Sequence, residues 1–129
     1  MNLVIDIGNT AVKAYLFKDN EIIKKEVLNE NTLIHSLKLF PINDVINIIC
    51  SSVTKSYKDQ LSEIFKKSNY YDFLDTNLKL PFKNNYETKS LGQDRIALIS
   101  SAVMKFKDQN SLVIDIGTCI TYDFIDSKN

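Results

Sequence analysis

Leu3-Val4-Ile5-Asp6-Ile7-Gly8 and Leu112-Val113-Ile114-Asp115-Ile116-Gly117 are one hexapeptide written twice in this 129-residue chain. Each copy is a β-branched apolar run that ends in Asp-x-Gly. Asn9-Thr10 or Thr118 comes next, and then a second apolar run, Ala11 to Phe17 in the first copy and Ile120 to Ile125 in the second. That order reads as a strand, a tight turn and an antiparallel strand. The turn is where the reactive residue types collect.

Those types fit a polyphosphate for separable reasons. Gly8 and Gly117 can take positive φ and bring backbone N–H groups close to an anion with no Cβ in the way. Thr10, Thr118 and Thr121 add hydroxyl donors, and Asn9 an amide. Asp6 and Asp115 would repel phosphate, so carboxylates at these strand ends point to Mg²⁺, held directly or through its waters. Lys13, just past the first turn, can reach phosphates as a point charge. A single Asp-x-Gly is equally a plain hairpin turn. Two copies with matched flanks favour the phosphate reading, and with it two facing lobes that hold a nucleotide between them.

Composition permits this without adding to it. The chain is long enough for one core and short for two complete lobes. Sixteen basic and sixteen acidic residues leave a formal net charge of zero, so the overall field implies neither nucleic acid nor an anionic membrane as partner. The apolar runs are too short and interrupted to span a bilayer, and the amino terminus carries Asp6 rather than a basic leader; a soluble, cytoplasmic protein is expected. Cys50 and Cys119 lie in apolar strand contexts without Cys-x-x-Cys spacing. Both read as buried free thiols, neither nucleophile nor metal ligand.

Along the chain, Leu3 to Ile7, Val12 to Phe17 and Ile22 to Leu28 read as three antiparallel strands, with Lys18-Asp19-Asn20-Glu21 turning between the second and third. Asn31 or Thr32 can cap a helix to about Leu39, stopped by Pro41. Val45 to Cys50 is a continuous apolar run of the kind found in a sheet covered on both faces. Ser56 to Lys67 has helical spacing through Tyr57, Leu61, Ile64 and Phe65, and a strand is expected near Tyr71 to Leu74. These elements define an α/β lobe with a mixed sheet. His35, the single histidine, falls at a polar helix position and reads as a surface residue.

Leu78 to Tyr86 is rich in Lys and Asn and reads as an exposed loop. It leads into Leu91-Gly92-Gln93-Asp94-Arg95, after which Ile96, Leu98, Ile99, Ala102, Val103 and Phe106 give a helix with an apolar face. Asp94 and Arg95 therefore occupy a first helical turn beside a glycine. There a carboxylate is favoured, and Arg95 offers a bidentate fork to a carboxylate substrate; Asp94 as an ordinary cap and Arg95 as a solvated charge is the plainer alternative.

Asp6-Ile7-Gly8-Asn9-Thr10 with Lys13, then Gly92-Gln93-Asp94-Arg95, then Asp115-Ile116-Gly117-Thr118 with Thr121 and Asp123 resemble, in order and spacing, the three motifs of type III pantothenate kinases. These kinases belong to the superfamily of actin, sugar kinases and heat-shock ATPases. The resemblance covers essentially the whole chain, and the strand end Cys50-Ser51-Ser52-Val53 looks like that family too. It implies a ribonuclease H-like first lobe over residues 1–110 and the first hairpin of a second, similar lobe over 111–129. It also implies transfer of the ATP γ-phosphoryl group to the terminal hydroxyl of pantothenate, the first step toward coenzyme A. Carried over by motif, Asp94 is the general base, Arg95 binds the pantothenate carboxylate, and Gly92 and Tyr86 line its pocket. The segment from Tyr86 to Gly92 is one residue shorter than in the family and lacks its usual proline. Asp6, Gly8, Asn9, Thr10 and Lys13 form the first ATP-phosphate and Mg²⁺ motif, and Asp115, Gly117 and Thr118 the second, with Asp6 and Asp115 as metal ligands. The resemblance further implies a homodimer and a monovalent cation, K⁺ or NH₄⁺.

Phosphoryl transfer asks a protein chiefly for positioning and charge neutralisation, so glycine turns, hydroxyls, a metal-holding carboxylate and one base suffice. One departure is large. Family members have a second lobe as large as the first, whereas this sequence stops just after the second hairpin, so a fragment, or a partner chain supplying the rest, is expected. Two other functions compete: a non-catalytic kinase-like binding module, and a different small-molecule kinase or phosphatase of the same superfamily. Retention of Asp6, Asp94 and Arg95 argues against the first, and Gly92-x-Asp94-Arg95 against the second.

Overall fold

Apolar side chains at alternate positions build most of this α/β chain. The computed structural model describes residues 1–52, 56–72, 79–86 and 91–128. The chain divides into two compact units, Met1–Thr76 and Asn77–Asn129.

In the first unit, β1 (Asn2–Ile7), β2 (Val12–Lys18) and β3 (Glu21–Leu28) are the three expected antiparallel strands, with Asp19 at positive φ in the second turn. β4 (Asn47–Ser52) then pairs parallel to β1, and β5 (Asn69–Asp72) parallel to β4, giving a mixed sheet of order β3-β2-β1-β4-β5. Expected strand residues 73 and 74 lie outside the described residues, as does Val53. Strand period two sends Leu3, Ile5, Ile7, Val12, Ala14, Leu16, Ile48 and Cys50 to one face, where all are buried. Leu33 and Leu37 of α1 (Leu33–Leu37) and Leu61 of α2 (Lys58–Ile64), with Phe40, Tyr57 and Phe65, cover that face. The other face of β4 is less closed: Ile49 is half-buried, though Ser51 is buried. His35 is exposed, as expected.

The entry into α1 differs from the expected cap. Asn29, not Asn31 or Thr32, is the capping side chain: its Oδ1 accepts from the Asn31 N–H at 2.9 Å and opens a 3-10 turn, Glu30–Thr32, ahead of the helix. A side chain bonding two residues ahead starts a turn where it stands, so the helical register begins earlier and α1 ends at Leu37 rather than Leu39. The Tyr57 hydroxyl donates to the Glu30 carboxylate and ties this turn to the start of α2.

In the second unit, α3 (Gln93–Lys105) packs Ile96, Ile99, Ala102 and Val103 onto Val113 and Ile125 of a two-stranded antiparallel sheet, β6 (Ser111–Ile116) and β7 (Ile120–Ile125). Leu91 joins this small core, and residues 79–86 are mostly exposed, as the loop reading requires. The other face of the hairpin carries Leu112, Ile114, Ile116, Ile120, Tyr122 and Phe124, all exposed. Cys50 is buried, but Cys119 is exposed. Ile116 pairs with Ile120, so Cys119 falls in the turn and not in a strand; this corrects the expectation of a second buried thiol. No described helix is long and apolar enough to cross a membrane.

Candidate active site

The first turn stands at the end of β1. Val4 and Asp6 alternate with the buried Leu3, Ile5 and Ile7, so Asp6 lies on the sheet face away from the core. Register sets two residues beside it on that face, the exposed Lys13 of β2 and Ser51 of β4. The Gly8 N–H donates to the Ala11 carbonyl at 3.2 Å, closing the turn between the paired Ile7 and Val12, with Asn9 and Thr10 exposed at its tip. The second turn repeats the device with one residue fewer. There the Gly117 N–H donates to the Cys119 carbonyl at 3.0 Å between the paired Ile116 and Ile120, and Thr118 is exposed.

Neither Gly8 nor Gly117 has positive φ, against expectation. Both turns close through a bond from the glycine N–H to a carbonyl further along, which an ordinary negative φ allows. Crowding does not demand glycine either: an added Cβ would meet nothing nearer than the Ala11 carbonyl at 3.5 Å in the first turn and the Cys119 carbonyl at 4.0 Å in the second. What glycine leaves at both places is open space outside the turn. Beside each aspartate sits a hydroxyl that sequence reasoning underused. Ser51 Oγ, next to Asp6, and Thr121 Oγ1, opposite Asp115, are buried with no hydrogen-bond partner among the described residues. A buried hydroxyl left unsatisfied costs about 1–3 kcal/mol, so one beside each aspartate, on the parallel neighbour of β1 and on the return strand of β6, calls for a reason.

The third motif opens α3. Gly92 is the N-cap residue with no side chain to offer, and Asp94 is not the cap; its Oδ1 accepts the Arg95 N–H at 2.8 Å. Gly92 is required for a local reason: a Cβ there would lie 2.5 Å from Asp94 Oδ1, so only glycine leaves the carboxylate where it is. The Asp94 carboxylate therefore sits within the first turn of α3.

Arg95 is not a solvated charge. Its Nε donates to Asp123 Oδ2 at 2.9 Å and its Nη2 to Asp123 Oδ1, while Nη2 also reaches the Tyr86 hydroxyl at 3.3 Å and the guanidinium carbon lies 4.9 Å from the Tyr86 ring centre. The bonds to Asp123 and Tyr86 push the Arg95 pKa still higher, so it is charged at every working pH. Tyr86 and Arg95 are thus brought together as the motif reading requires. Asp123, which that reading left without a role, is their buried partner. The available signal was strand alternation: Thr121, Asp123 and Ile125 share the face toward α3. Beside the cluster is a pocket of about 350 Å³, lined by Phe82, Asn84, Tyr86, Leu91, Ile99 and Asp123 among others. That volume suits a small polar molecule.

The family model for type III pantothenate kinase matches residues 2–129. The chain belongs to the type III pantothenate kinase family. It is 37% identical to the type III pantothenate kinase of Flavobacterium psychrophilum over all of this chain and 54% of that protein. Against the enzyme of Christiangramia forsetii it is 44% identical over 95% of this chain and 51% of the relative. Against that of Bacteroides fragilis it is 40% identical over 98% and 53%. The chain therefore spans about half the length of the curated relatives it matches.

Proposed function

We propose that the full-length protein transfers the γ-phosphoryl group of ATP to the terminal hydroxyl of pantothenate, the first step toward coenzyme A. The observation that carries this reading is the start of α3, where glycine makes room for the Asp94 carboxylate and the next residue, Arg95, joins Tyr86 and Asp123, two residues that line a small-molecule pocket. Asp94 takes the proton from the attacking hydroxyl, Arg95 receives the pantothenate carboxylate, and Tyr86 and Gly92 are the further residues that would contact pantothenate.

The turn residues fit ATP with Mg²⁺, because each offers a carboxylate, open space over a glycine and an unpartnered buried hydroxyl next to that carboxylate. Asp6 in the first turn and Asp115 in the second are the candidate Mg²⁺ ligands, each a lone carboxylate of the kind Mg²⁺ accepts when phosphates and waters complete its shell. Asn9, Thr10, Lys13 and Thr118 would bind the phosphates, with Gly8 and Gly117 leaving the open space through which the phosphates approach. When bound, the metal nucleotide supplies the phosphoryl group and neutralises its charge. The same reading takes residues 1–110 as a ribonuclease H-like lobe, 111–129 as the opening of a second lobe, and the whole protein as a cytoplasmic homodimer that uses K⁺ or NH₄⁺.

The test is direct. Full-length protein incubated with pantothenate, ATP, Mg²⁺ and K⁺ should yield ADP and 4'-phosphopantothenate, identified by mass, with turnover falling when K⁺ is replaced by Na⁺. No phosphorylated pantothenate under any cation would defeat the assignment.

A further inference from the structure

Arg95 carries more hydrogen bonds than a substrate fork needs. Its Nε and Nη2 form one edge of the guanidinium, and that edge is taken by Asp123, a residue only 8% exposed on the α3-facing side of β7. The Tyr86 ring lies against the guanidinium, and its hydroxyl accepts from Nη2. With the Nε hydrogen and both Nη2 hydrogens taken by Asp123 and Tyr86, the N–H donors left to the fork are those of Nη1. We propose that Asp123 is a positioning residue for pantothenate recognition, fixing the Arg95 guanidinium so that its Nη1 end is presented to the substrate carboxylate. The inference rests on the assignment of Arg95 to that carboxylate.

Two opposing effects make the proposal decidable. A buried carboxylate beside Arg95 repels an anionic substrate and competes for the same cation, which by itself would weaken binding. Holding a long, flexible side chain in one geometry removes ordering that binding would otherwise have to supply. Orientation is inferred to outweigh competition. A geometric fact supports this order: Asp123 engages the side of the fork, not its end, so substrate and Asp123 can share the guanidinium without displacing one another.

The experiment uses the full-length protein with two substrates, pantothenate and its neutral analogue in which the carboxylate is replaced by a hydroxymethyl group. Both keep the reacting hydroxyl. Asp123→Asn should raise the KM for pantothenate by about tenfold, more than it lowers kcat, and leave the KM for the neutral analogue unchanged. In an Arg95→Ala background the same substitution should add nothing, because its effect passes through the guanidinium. An unchanged or lowered pantothenate KM, an equal rise for both substrates, or a full additional effect without Arg95 overturns the proposal. If Asp123→Asn fails to fold, Asp123→Glu keeps the charge and moves it by one methylene; it should raise the KM for pantothenate alone, and an unchanged KM overturns the claim. Failure of the underlying assignment looks different: Arg95→Ala would then penalise both substrates alike.

Discussion

Leu3, Ile5 and Ile7 are each 0% exposed, whereas the identical residues of the second copy, Leu112, Ile114 and Ile116, are 58%, 50% and 76% exposed. Apart from one residue fewer in the second turn, the two copies agree locally: strand, turn, antiparallel return, a glycine N–H closing the turn, an aspartate opposite the apolar face. They part further along the chain. β2 is succeeded by a third strand and then by α1 and α2, whose Leu33, Leu37 and Leu61, with Phe65, close over the first copy. No described residue does this for the second. The apolar pattern of a strand thus says which face wants cover, and only the rest of the chain says whether cover arrives.

The sharpest way to break this comparison is to make the same change twice. Ile5→Ala should destabilise the first unit by about 2–5 kcal/mol through lost burial and a cavity. Ile114→Ala in the 129-residue chain should cost within about 0.5 kcal/mol, as expected at an exposed site. Urea melts of both variants give the difference, and equal losses would mean the second face is covered after all.

Next in size is self-association. An uncovered apolar face beside the outer edge of β7 should draw copies of the isolated chain together. Light scattering should report oligomers, and Ile114→Lys with Phe124→Lys should return a monomer. The 129-residue chain alone, which spans about half the length of its curated relatives, should show no measurable pantothenate phosphorylation, since catalysis by charge needs an enclosed site.

The glycines sharpen the comparison at finer scale. Gly92→Ala should push the Asp94 carboxylate aside and lower kcat by about tenfold to a hundredfold in the full-length protein, the order expected when a reacting group is displaced by about 1 Å. Gly8→Ala meets no crowding, so it should leave stability within about 0.5 kcal/mol and act instead on the KM for ATP. A melting transition lowered by Gly8→Ala would place the constraint inside the turn.

The smallest expected effect is alkaline. Burial and then the bond to Glu30 push the Tyr57 pKa up to about 12. A group whose folded pKa lies above its unfolded value contributes stability that is complete below the ordinary tyrosine pKa near 10 and is lost as pH rises toward 12. Stability should fall between these values in the wild type and less steeply in Tyr57→Phe.

Much of this was legible in the sequence because periodicity is local. Alternation marked β1, β2, β3, β6 and β7, and helical spacing marked α2 and α3, to within a few residues. Asn29 was missed as the cap because Asn29, Asn31 and Thr32 all suit the role, and only backbone geometry selects one. Cys119 was misassigned because the second turn is a residue shorter than the first, which pairing alone reveals. The motif residues Tyr86, Asp94 and Arg95 could be named, but the link from Arg95 to Asp123 crosses 28 positions and depends on how β7 lies against α3. No local pattern carries that.

Catalysis in this scheme turns on Asp94 as the base. Asp94→Asn in the full-length protein, with pantothenate binding measured by calorimetry and turnover by ADP release, should keep binding and lower kcat by about two to four orders of magnitude. Turnover close to wild type with binding intact would contradict that role.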